Sequence, residues 1–216
     1  MFDYFYNGSI RKLVVGFGSL FDEIYIKRKL PDQEKLIKVP ISYGPKEKFY
    51  RKIVELDEGG NRNAVENILP RMGFEITSMS YDGNRKLNSL NKSYVAKEAN
   101  QTVSYSYNEI PYNFDFTLNI MTRNLDDGHQ IVEQILPYFT PDFTITMNFT
   151  EIDRKVDVPV ILNSVTATDD YEGDMNTRRL LTHTLSFTAK SYVFSKINTL
   201  GLIREIKLTF QELTGE

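Results

Sequence analysis

Tyr112-Asn113-Phe114-Asp115-Phe116-Thr117-Leu118-Asn119-Ile120-Met121-Thr122 alternates apolar and polar residues almost without a break. Strand side chains point to opposite faces with a period of two. Phe114, Phe116, Leu118 and Ile120 therefore share one face, and Asn113, Asp115, Thr117 and Asn119 the other. Directly after it, Asn124 is placed to cap a helix. Asp126 and Asp127 fall in its first turn at the positive end of the dipole, Leu125, Ile131, Val132 and Ile135 are expected to face inward, and Pro137 stops it. Upstream, Met72 to Tyr81 alternates after Pro70 and reads as a partner strand. Downstream, Phe143 to Phe149, Val158 to Val165, Leu180 to Phe194 and Leu202 to Phe210 read as four more strands, the third expected to be broken or bent because it is long.

Toward the N-terminus, Ile10, Leu13, Val14, Phe17, Leu20 and Phe21 recur at helical spacing between Ser9 and Phe21, with Asn7 or Ser9 as the cap. Gly16 and Gly18 weaken this helix by roughly 1 kcal/mol each against Ala, so the close approach of another backbone is expected there. Ile24-Tyr25-Ile26 and Leu36 to Tyr43 read as two strands joined through Lys29 to Lys35, and Pro40, which cannot donate to a ladder, favours an edge. A short helix is expected from Pro45 to Leu56, ended by Gly59-Gly60-Asn61. Residues Asp82 to Asn108 open with turn chemistry at Asp82-Gly83-Asn84 and continue rich in Asn, Ser, Lys and Tyr. So long a polar stretch inside a domain reads as an extended arm or long hairpin. The class is α+β: a mainly antiparallel β-sheet flanked by two or three helices, in a single domain over 1–216 with 82–108 as an interaction arm.

Hydrophobic residues make up 41% of the 216 and charged residues 25%, which suits a packed core. Cysteine is absent, which excludes disulfides, thiolate zinc sites and cysteine nucleophiles and fits an intracellular life cycle. Met1-Phe2-Asp3-Tyr4-Phe5-Tyr6 has no basic region leading into an apolar one, and no run approaches the roughly 18 apolar residues of a membrane span, so neither a signal peptide nor membrane association is expected. A net charge of -3 argues against a dedicated nucleic-acid binder, whose affinity comes mainly from Lys and Arg neutralising phosphates.

Catalytic and metal-binding patterns are weak. Histidine occurs only at His129 and His183. His183 is in phase with Leu181, Leu185 and Phe187 and reads as a hydrogen-bonded core or interface histidine, and His129 as a helix-surface residue. Asp169, Asp170, Glu172 and Asp174 resemble a calcium loop in spacing, but Gly173 is misplaced and Leu181 stands at the twelfth position from Asp170, so a solvated loop is favoured. Gly16-x-Gly18 lacks a third glycine and a preceding strand, so no dinucleotide site is read there. Paired carboxylates such as Glu55 and Asp57 name no glycosidase acids without geometry. No cofactor or metal is expected. Arg85, Lys86, Lys92 and Lys97 interleave with Tyr94, Tyr105 and Tyr107 in the polar segment. In an acidic chain, this basic-aromatic mixture reads as a solvated or partner-binding arm rather than a nucleic-acid surface, and these seven residues are the candidate interface.

Several collinear strings carry a family resemblance: Phe2-Asp3-Tyr4-Phe5-Tyr6-Asn7-Gly8-Ser9-Ile10-Arg11-Lys12; Phe17-Gly18-Ser19-Leu20-Phe21 with Ile24-Tyr25-Ile26; and Val39-Pro40-Ile41-Ser42-Tyr43-Gly44-Pro45. Leu69-Pro70-Arg71-Met72-Gly73-Phe74-Glu75-Ile76 and the block from Asn124-Leu125-Asp126-Asp127-Gly128 to Ile135-Leu136-Pro137-Tyr138-Phe139 continue it. The chain resembles the tail sheath stabiliser and completion proteins (tail terminators) of T-even-like contractile-tailed bacteriophages, the cyanophage branch above all. The match extends to about Asn148 and loosens beyond it. The resemblance implies a tail-terminator-like fold and a non-enzymatic virion protein forming a hexameric ring at the head-proximal end of the tail. Its implied partners are further copies of itself, the tail sheath protein, the tail tube protein or its terminator, and the neck or head completion proteins, after synthesis in the host bacterial cytoplasm. Another neck-connector or baseplate protein is the alternative, and a tail-associated hydrolase a remote one that needs a histidine or a carboxylate pair in a concave pocket.

Overall fold

Residues 4–29, 34–51, 69–97, 102–149, 154–171 and 179–201 are described by the computed structural model. The alternating segment is strand β7 (Ile110–Thr122), inside a six-stranded sheet between β4 (Arg71–Tyr81) and β10 (Arg179–Val193). β9 (Arg154–Tyr171) and β8 (Asp142–Phe149) extend the sheet to one edge, and β3 (Ile41–Tyr43) forms the other. All pairs are antiparallel except β3 with β4. Phe114, Phe116, Leu118 and Ile120 are buried on one face.

Helix α1 (Ser9–Ser19) covers that face with Leu13 and Phe17. The Phe17 ring stacks on Phe116, centroids 4.2 Å apart and 7° from parallel, and meets Phe21, Phe74 and Phe187 within 5.4 Å. Each fully buried ring of this kind contributes roughly 1.5–3 kcal/mol, so the five form the centre of the core. Neither expected cap closes the helix. Gly8 is the N-cap, at φ 64, a left-handed conformation that glycine adopts without steric penalty. Asn7 instead donates its amide to the Phe194 and Ser195 carbonyls at 3.1 and 3.0 Å, which ties the start of α1 to the end of β10. The close approach at Gly18 is made by a ring, not a backbone: a Cβ there would lie 2.9 Å from Phe74.

The strand expected over Leu36 to Tyr43 is two strands in different sheets. β2 (Glu34–Lys38) pairs with β1 (Tyr25–Lys29) in a two-stranded ribbon, and β3 joins the large sheet. The chain changes sheets at Val39-Pro40, where the Val39 N–H donates to the Ile24 carbonyl and the Pro40 carbonyl accepts from Met72 N–H, each at 2.9 Å. Pro40 thus stands at the entrance to an edge strand, and its missing donor fits the crossing. The ribbon rests on helix α2 (Leu125–Ile135), which buries Asp127, Gly128, Ile131 and Ile135. Leu125, expected inward, is 47% exposed, because it lies about 120° around the helix from Ile131. Asn124 is the N-cap residue with extended backbone, although its side chain makes no capping bond.

Two glutamines of α2 substitute for a third ribbon strand. Gln130 accepts from Lys27 N–H at 2.8 Å and donates to the Lys27 carbonyl at 3.2 Å; Gln134 donates to the Tyr25 carbonyl at 2.7 Å and accepts from Tyr25 N–H at 3.4 Å. Four helical residues rise about 6 Å and two strand residues about 6.6 Å, so i,i+4 amides match i,i+2 peptide groups.

β10 runs unbroken for 15 residues, and the irregularity lies in its neighbour. Ser186 pairs with Ser164 but Phe187 with Leu162, which leaves Asn163 as a bulged residue whose amide donates to Thr188 at 2.8 Å. A second shift falls between Ile76 and Ser78 in β4. Bulges increase local twist, and the sheet is curled.

The polar segment forms β5 (Lys92–Lys97) and β6 (Thr102–Tyr107), which β11 (Asn198–Gly201) joins in the order β11-β6-β5. It is inserted where β4 turns into β7: Tyr81 pairs with Tyr112, and Asp82 N–H bonds the Pro111 carbonyl. Val193 at the end of β10 pairs with Ile110 at the start of β7, so the chain leaves β10 at the same sheet end and reaches β6 directly. Residues 46–51 are helical, and Phe49 packs with Leu69, Met121 and Leu180. The remainder of the helix expected to Leu56 and the strand expected over Leu202 to Phe210 lie outside the described residues.

Candidate assembly interface

Arg85 anchors the root of the inserted segment. Its Nε donates to Asp82 at 2.7 Å, its Nη2 donates to Asn113 Oδ1 at 2.9 Å and the Tyr112 carbonyl at 3.3 Å, and its guanidinium lies 5.1 Å from the Tyr192 ring. One planar fork therefore joins the turn after β4 to β7 and β10, a geometry that lysine could not supply. The hydrogen bond from Arg85, foremost, holds the Asp82 carboxyl below its ordinary pKa.

Beyond the root, the hairpin presents a basic-aromatic face. Lys92 pairs in register with Tyr107, and Tyr94 with Tyr105, so all four share one face. The Lys92 ammonium lies 4.8 Å from the Tyr105 ring centre and 5.3 Å from that of Tyr107; Tyr105 is 5.9 Å from Tyr94 and 6.5 Å from Tyr107. Tyr94 and Tyr107 are exposed, while Ser104 and Ser106 of the opposite face are buried. Lys86 is exposed on the connection to β5, and Lys97 ends β5 opposite Thr102. Four of the seven candidate residues thus converge, and Arg85 directs its donors inward. Tyr192 was not singled out by the sequence, because its role exists only once β10 lies beside β7.

The possible catalytic groups are placed differently. His183 is buried with Nδ1 unpartnered, its ring 6.1 Å from that of exposed His129. Burial first, and His129 second, hold its pKa below the ordinary value. Asp127, on the same helix turn, is buried in an ion pair with Arg28 at 2.6 Å. Gly16 and Gly18 lie within α1, away from any strand-to-helix turn. Asp169 and Asp170 lie in β9 just before its last residue, Tyr171, and Glu172 and Asp174 lie outside the described residues. Among the described residues, no group of three or more His, Asp or Glu is placed to hold a metal, and no helix is long and apolar enough to cross a membrane. A cavity of about 520 Å³ opens beside the C-terminal end of α1, lined by Leu20, Phe21, Ile24, Phe139 and Phe143, with Glu23, Glu133 and Tyr138 also at its wall; neither histidine lines it.

The family profile that matches residues 4–216 is that of the T4-like virus Myoviridae tail sheath stabiliser. This chain belongs to that family. Its curated relatives include the tail completion protein gp15 of Enterobacteria phage T4, 38% identical over 223 residues that cover all of this chain and 82% of that protein. The match to the tail sheath stabiliser family spans the residues of β8 to β11 as well as the N-terminal half.

Proposed function

We propose that this protein is a structural virion component that closes the head-proximal end of a contractile tail as a ring of identical subunits. The observation that carries this reading is the full-length family match, supported by 38% identity to a tail completion protein over the whole chain. The ring stops growth of tube and sheath, holds the last sheath layer, and offers a docking face to neck and head completion proteins. It acts by contact and not by catalysis. Six copies would weigh about 150 kDa, and a head-to-tail contact closes a ring only if its rotation divides a full turn.

Within that ring, the inserted sheet serves as an interaction arm. Lys92, Tyr94, Tyr105 and Tyr107 meet a neighbouring subunit or tail protein, exposed Lys86 lies on the connection that leads to them, and Arg85 fixes the arm's root. An exposed tyrosine-lysine face supports this, since aromatic rings give large contact area at small entropy loss and carry much of the energy of interfaces. The test is deletion of the gene and imaging of the tails. Loss of a terminal ring, with unstable sheaths or tails that do not join heads, is expected; head-joined tails of normal length would refute the assignment.

A further inference from the structure

We infer that neighbouring copies join head to tail, with Tyr4-Phe5-Tyr6 of one copy seated in the cavity at the C-terminal end of α1 of the next, a contact that rests on the ring proposed above. Tyr4, Phe5 and Tyr6 are 94%, 50% and 68% exposed, and three consecutive exposed rings are the kind of surface that marks an interaction site. Ile10 and Val15 of α1 extend the exposed apolar surface. The Asn7 bonds to Phe194 and Ser195 hold this segment at the arm end of the sheet. The cavity lies at the other end of α1, about 16 Å away by the rise of 11 residues. Donor and acceptor surfaces at opposite ends of one helix meet between copies, reciprocally in a two-fold pair or head to tail in a ring. The ring proposed above selects the head-to-tail form, and covalent dimer with nothing larger in the test below would overturn it.

The two surfaces are complementary in charge as well. Exposed Arg11 stands beside Tyr6 and Gly8, whereas exposed Glu23 and Glu133 flank the cavity between its apolar wall and solvent. Its volume falls within the roughly 300–1,000 Å³ of pockets that accept compact ligands, ample for an aromatic side chain.

The chain contains no cysteine, so Phe5→Cys and Tyr138→Cys in one chain report this contact. A disulfide tolerates Cα separations only to about 7 Å, so the two positions can be linked only between copies. The variant is supplied to cells infected by phage deleted for the gene, and the resulting particles are oxidised and run on a denaturing gel. A ladder of covalent multimers is expected at near-parental titre, with monomer alone from either single-cysteine variant. Monomer from infectious double-cysteine particles overturns the contact and leaves the tail-end role intact. A disulfide formed by Phe5→Cys alone, or a cross-link to a virion protein of different mass, also overturns it. Charge exchange covers a double variant that fails to restore infectivity. Arg11→Glu is expected to lower the titre about tenfold or more, and Glu23→Arg with Glu133→Arg to restore it; a loss left unrestored overturns the contact. Full infectivity of the deletion phage without any supplied protein refutes the tail-end reading, and this contact with it.

Discussion

His183 occupies a position where one proton changes the balance of α2 against the sheet. A Cβ at Gly128 would lie 2.7 Å from its Cε1, so the ring fills the space that the glycine leaves. Its folded pKa is depressed below about 6.5, so as pH falls the unfolded chain takes up the proton first. The stabilisation is complete above about pH 6.5 and is lost as pH drops from there through the lower folded value. The melting temperature is expected to fall more steeply between about pH 7 and pH 5 in the parent than in His183→Gln; equal slopes would contradict this. Gly18 sets a second expectation. Ala would gain about 1 kcal/mol of helix propensity. Its Cβ would press on a Phe74 ring held by Phe17 and Tyr43, each 5.4 Å away, and overpacking typically costs about 1–3 kcal/mol. The expected result for Gly18→Ala is a net loss of up to about 2 kcal/mol in urea denaturation, and a stabilised variant would show that the ring can move.

Among the elements, the seam between α2 and β1 is the one most open to test. Gln130→Glu and Gln134→Glu keep size and reach but set a carboxylate against a strand carbonyl in place of a donor. Each is expected to lower stability by about 1 kcal/mol, with the double variant also raising amide exchange across β1 and β2. This seam was invisible in the sequence, because glutamines on a helix surface are ordinary. β7, β4 and the start of α2 were legible: long period-two patterns and a capping residue before paired aspartates each have one physical reading. The split of β2 from β3 was not, since Pro40 fits both the edge of one strand and the crossing between two. The polar segment was legible as an arm or hairpin from its turn chemistry and length, but the bounds of β5 and β6 were not, because their Lys, Ser and Tyr carry no clear hydrophobic period. Lys92, Tyr94, Tyr105 and Tyr107 could be named from composition, but their common face required the register.

For the whole molecule, the sheet has two working ends. Both the inserted sheet and the Tyr4-Phe5-Tyr6 segment lie at the end where β10 finishes, while α2 and the β1–β2 ribbon occupy the end where β7 finishes. In the proposed ring, the arm end of the sheet meets a partner. Amide exchange in β5 and β6 is therefore expected to be fast in free protein and slow in assembled tails, because a polar hairpin buries too little apolar surface of its own to offset its ordering entropy. Strong protection in an isolated subunit would remove the case for the arm being ordered by a partner.

The glutamine seam also sets a limit on drift. Gln130 and Gln134 each supply a donor and an acceptor from one amide, and no single-base change in a glutamine codon produces another amide side chain. Lysine, arginine, glutamate, leucine, proline and histidine are the amino acids within reach; of these, only histidine retains both functions, on a ring of different shape. A point mutation that changes the residue at either codon therefore replaces the amide that seals β1, and asparagine, the other residue with a side-chain amide, is one methylene short and more than one base away.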